Sequence, residues 1–111
     1  MSVFRLNSAP YEKIDCRYIE SADLTITNNG GEEFDVLVEL ETPHNVIFVG
    51  LFHLAPGAVA VAPNLPTNYG SFSLLLVTNL NNHHPTGVTV HVKNHGALVA
   101  LFTQEDCIRM S

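Results

Sequence analysis

The chain has 111 residues, 46% of them hydrophobic, and a formal net charge of −6. That length supports one domain around one core, and the apolar content excludes extended disorder. Arg5, Lys13, Arg17, Lys93 and Arg109 form no basic run, which excludes nucleic acid and anionic membrane surfaces as partners.

No apolar run approaches the roughly 20 residues that span a bilayer. The opening Met-Ser-Val-Phe-Arg-Leu-Asn has no secretory leader pattern. A cytoplasmic protein or a subunit of an assembled particle is expected. In that setting Cys16 and Cys107 are expected to be reduced, buried thiols rather than a disulfide.

In chain order, residues 1–10 read as an N-terminal arm or first edge strand, carried by residues 3–6. A β-sandwich domain is expected over residues 11–111. Strands are predicted at 11–19 and 22–28, the second from its polar–apolar alternation. The Asn-Asn-Gly-Gly at 28–31 then reads as a tight hairpin turn, because those residues tolerate positive φ. The strand at 34–41 places Val36, Val38 and Leu40 on one face, and Asp35, Leu37, Glu39 and Glu41 on the other. Strands follow at 45–54 and 57–62, and residues 63–69 read as an exposed loop. Further strands are expected at 71–79, at 87–93 with Val88, Val90 and Val92 inward, and at 97–103 after a turn at 94–96. The predicted fold is all-β: a single-domain antiparallel β-sandwich or jelly roll of about seven to nine short strands.

Three segments break the alternation. Residues 46–52, 74–77 and 97–102 are apolar on both faces, whereas a strand in a two-layer sandwich meets the core with one face only. The other face needs a cover. Charge distribution agrees: between Thr42 and Gln104 the one formally charged side chain is Lys93, and the cores of subunit interfaces are depleted in charge. The expected partner is a second copy of the chain or another protein subunit. The expected contact residues are Val49, Leu51, Leu75, Val77, Val99 and Leu101. An alternative is a barrel whose own loops cover these strands.

All six histidines lie in the carboxylate-free stretch. His83, His84, His91 and His95 are candidates for a pH-sensitive contact, because protonating several imidazoles in a neutral surface introduces repulsion. His53, His91 and His95 are weak metal candidates. On a strand, residues four apart are separated by about 13 Å, too far to share one ion. No catalytic residue is assigned: Ser71 and Ser73 lack a nucleophile elbow, and Glu105 and Asp106 beside Cys107 disfavour its thiolate. No cofactor is implied.

The function expected is non-enzymatic: a self-associating structural or interaction module that forms a homo-oligomer through an uncharged apolar β surface. Its general character is similar to that of virion and other assembly components, an analogy at the level of fold alone. The alternative is a small-ligand or metal-binding β-barrel using histidines.

Overall fold

Side chains that alternate between core and surface build nine strands in the computed structural model, which describes residues 1–110. They are β1 (Ser2–Ser8), β2 (Ser21–Asn28), β3 (Phe34–Glu41), β4 (Val46–Leu54), β5 (Val59–Pro66), β6 (Phe72–Thr78), β7 (Thr86–Asn94), β8 (Ala97–Thr103) and β9 (Ile108–Met110). Two antiparallel sheets result, one ordered β4-β3-β6-β1-β9 and the other β5-β2-β7-β8. They face each other across one core, as a β-sandwich does. No helix among the described residues is long and apolar enough to cross a membrane.

The core is built in pairs, one residue in two from each strand. Phe4 and Leu6 come from β1, Leu24 and Ile26 from β2, Val36 and Val38 from β3, Leu74 and Leu76 from β6, and Val88 and Val90 from β7. Each of these ten side chains is at most 1% exposed, and burial of that kind is worth roughly 1.5–3 kcal/mol per large aliphatic or aromatic group.

Several expectations need correction. Residues 28–31 do not close a hairpin, because β2 and β3 belong to different sheets. Asn28 makes the crossing instead of a turn. Its buried amide donates to the carbonyl oxygens of Glu32 (2.7 Å) and Leu54 (3.0 Å), and its Oδ1 accepts from the Gly30 N–H (2.9 Å). Gly30 is there for room: a Cβ would stand 2.8 Å from Pro85 Cβ. The true two-residue hairpin joins β7 to β8 through His95 and Gly96, at φ 52° and 81°, the positive values that a type I′ turn requires.

The segment 11–19 is not a strand. Its Ile14, Cys16 and Ile19 are buried, but the chain turns there through a 3₁₀ element, Cys16–Tyr18. The Asp15 carboxylate caps that element by accepting from the N–H groups of Tyr11 and Arg17. Residues 3–6 lie within β1, which is paired on both sides, with β6 and with β9, rather than free as an arm. The expected loop at 63–69 is strand as far as Pro66. A register shift opposite Ala22 and Leu24 brings Asn64 (φ 54°) to donate its N–H to Asp23 Oδ1 at 2.7 Å, as bulges do.

Candidate functional site

The outer face of the five-stranded sheet carries the feature that its fold does not need. Cross-strand registers align Leu51 with Leu37, Leu37 with Val77, Val77 with Val3, and Val3 with Met110. One row of five apolar side chains therefore crosses every strand of the sheet. The adjacent row runs Val49, Glu39, Leu75, Arg5 and Ile108 by the same ladders. Leu51 is 72% exposed, Val49 58% and Ile108 54%. An antiparallel sheet that faces water with one side normally alternates hydrophobic-in with polar-out. Here the out side is apolar along its middle.

Polar groups border the patch. On one side, the His53 ring on β4 lies between two carboxylates, with Nδ1 2.6 Å from Asp35 Oδ1 and Nε2 3.3 Å from Glu33 Oε2. On the other, Glu41, Ser73 and Asn7 align across β3, β6 and β1, with the Ser73 hydroxyl donating to Asn7 Oδ1 at 2.7 Å.

Of the expected contact residues, the structure gathers Val49, Leu51, Leu75 and Val77 on this one face. Val99 and Leu101 are exposed on β8, in the other sheet. The outer surface of that second sheet is mixed: Val61, Thr25, Thr89 and Thr103 align in one row, and Val59, Val61, Val99 and Leu101 are exposed. Leu37, Val3, Ile108 and Met110 complete the apolar face and are not among the expected residues. Leu37 does leave a signal, as the apolar residue on the outward register of an otherwise acidic strand.

The histidines are dispersed. His53 lies in the five-stranded sheet, while His91 on β7 and His95 in the β7–β8 turn belong to the other. They do not converge, and no group of three or more metal-ligating side chains forms among the described residues. Nor is the histidine-bearing stretch free of carboxylates in space. His95 Nδ1 lies 3.9 Å from Glu20 Oε2, and His91 is paired in register with Asp23. Strands remote in sequence deliver the acids. His83 stands edge-on to the Phe4 ring, with centroids 4.9 Å apart, and it lines with His84 a pocket of about 100 Å³.

Asp35 first, and then Glu33, raises the His53 pKa above its ordinary 6.5. The folded state thus binds this proton more tightly than the unfolded chain. Its contribution is complete below about pH 6.5 and is lost as pH rises through the higher folded value. An NMR titration of the His53 ring will give a midpoint above 6.5, and Asp35→Asn will lower it. A midpoint insensitive to that substitution removes the ion pair as its cause.

Cys16 and Cys107 are free thiols. Burial, reinforced by the Asp106 charge, pushes Cys107 up to about 11, which leaves almost no thiolate near neutrality. Asp15 goes the other way, held down to about 2 by the Arg17 guanidinium, at 2.7 Å between Nη2 and Oδ2. Comparison with protein families, with curated proteins and with solved structures gives no match.

Proposed function

We propose that the protein is a non-enzymatic self-associating module, a building block that forms a homo-oligomer through the outer face of its five-stranded sheet. The observation that carries this reading is the apolar row Leu51-Leu37-Val77-Val3-Met110, unbroken across every strand of that sheet. Leaving so continuous an apolar face in water is costly, and faces of this kind mark contact surfaces. The charge pattern supports the same reading. Asp35, Glu33, Glu41 and the imidazole of His53 stand at the border of the face, as in the polar rim of an interface, while the middle is apolar apart from Glu39 and Arg5. A role as a subunit of a virion or a comparable particle fits such a module.

Light scattering on a sizing column at neutral pH tests it. A mass that rises to a discrete multiple of 12.1 kDa with concentration is the expected result. A 12.1 kDa species at every concentration up to the millimolar range overturns the reading.

A further inference from the structure

Two charges stand inside the apolar face, and their positions say how a second copy sits on it. Glu39 on β3 and Arg5 on β1 are both aligned with Leu75 on β6, one on each side. Neither makes an ion pair within its own chain among the described residues, although the other two arginines do. Arg5 Nη1 donates to Ser73 Oγ at 3.0 Å, a neutral partner. β6 is the middle strand of the sheet, so β3 and β1 flank it symmetrically, and β4 and β9 lie outside them.

Resting on the self-association proposed above, the geometry points to one arrangement: a face-to-face two-fold dimer, its axis lying in the contact and running along β6, in which Arg5 of each copy pairs with Glu39 of the other. Rotation about that line exchanges left for right across the sheet and keeps each row at its own height. Leu75 then meets its own counterpart, as does Val77. Arg5 falls opposite Glu39 twice, Val3 opposite Leu37, Met110 opposite Leu51, and Ile108 opposite Val49. Every apolar side chain in the two rows meets an apolar one, and both charges find opposite charges. Such reciprocity is what an isologous contact requires.

The competing face-to-face arrangement has its axis across the strands. It sets Glu39 on Glu39 and Arg5 on Arg5, or, displaced by half a row, sets each charge on an apolar side chain. Both options bury charge without a partner, which is strongly unfavourable. Aligned sheets pack at about 30°, a rotation that moves the outer strands more than the central three, so the two charge pairs survive it.

Size makes these pairs decisive. Four strand spacings of about 4.8 Å and a strand length of about 20 Å give a projected face of roughly 400 Å². Side-chain relief adds to that figure and brings it near the ~600 Å² of accessible surface per partner at the low end of specific complexes. A contact so small has little margin for two unpaired charges, and the dimer will be concentration-dependent.

Charge reversal in separate copies provides the test. Arg5→Glu alone brings four carboxylates together across the contact, and Glu39→Arg alone brings four guanidinium groups together. Each variant is expected to dissociate at least tenfold more readily than wild type. Mixed in equal amounts, a copy carrying R5E meets a copy carrying E39R. Both cross-contacts then join a carboxylate to a guanidinium, and the dimer mass returns. A mixture that stays monomeric while wild type dimerises overturns this arrangement but leaves the apolar contact standing, as do single variants that dimerise like wild type. Wild type that is monomeric at all concentrations removes both proposals together. If either variant loses the wild-type circular dichroism spectrum, Leu75→Cys takes its place by adding a thiol on the axis. A short bis-maleimide is then expected to join position 75 to position 75 in a peptide map, and absence of that link overturns the arrangement.

Discussion

In the proposed self-association, Val77→Asp is expected to leave a monomer with its fold in place. Val77 is half-buried at the centre of the apolar row, between Leu37 and Val3. In the proposed two-fold contact it meets its own counterpart, so one substitution sets two carboxylates against each other in the middle of an apolar row. Burying a charge without a partner at a contact costs about 2–5 kcal/mol, and every 1.4 kcal/mol is tenfold in affinity. Dissociation should therefore become about 30-fold easier or more. Val77 points away from the core, so the penalty within the monomer is confined to β-propensity, about 1 kcal/mol. Light scattering will report the mass and urea unfolding the stability. If the variant associates as wild type does, the contact lies on another surface, with the exposed edge strand β8 the next to test.

The largest effect on stability is expected at the other side of the same sheet. Phe4 is 0% exposed, paired in register with Leu76 and Arg109, and in edge-to-face contact with His83. Phe4→Ala removes a ring from a site walled by strands that cannot collapse onto the gap. Truncations of this kind cost about 3–5 kcal/mol, against a total of about 5–15 kcal/mol for a typical domain. Urea unfolding should show a loss of that size. A change below about 1 kcal/mol would mean that β1 packs as a detachable arm, contrary to its place between β6 and β9.

Alternation in the sequence reports which way a side chain faces, and it does so accurately for residues 34–41 and 87–93. It does not report which strand lies alongside. The Asn-Asn-Gly-Gly at 28–31 has the composition of a hairpin turn, yet Asn28 uses its amide to tie one sheet to the other. Ile14 and Cys16 are buried two residues apart, as in a strand, but Ile19 follows three residues on and Tyr18 is exposed, so the segment is not a strand. β9 is too short, at three residues, to show any period. The candidate site divides along the same line. Val49, Leu51, Leu75 and Val77 stand out because both faces of their strands are apolar. Val3 and Met110 join them only through registers between strands far apart in the chain, and the Arg5–Leu75–Glu39 alignment exists only once β1, β6 and β3 are side by side.

The placement of β1 also has a kinetic side. As the chain leaves the ribosome, β1 appears first, but its neighbours are β6, begun at Phe72, and β9, begun at Ile108. Until those strands follow, its hydrogen-bonding edges, and the Phe4 and Leu6 side chains meant for the core, have nothing to pair with. Closing so long a loop must precede the contacts that reward it, which places the protein among the slower two-state folders, in the millisecond-to-second range. A nascent chain with an unsatisfied strand of this kind is the form most exposed to misassociation. The proposed contact between copies would then have to wait until each copy's own sheet is complete.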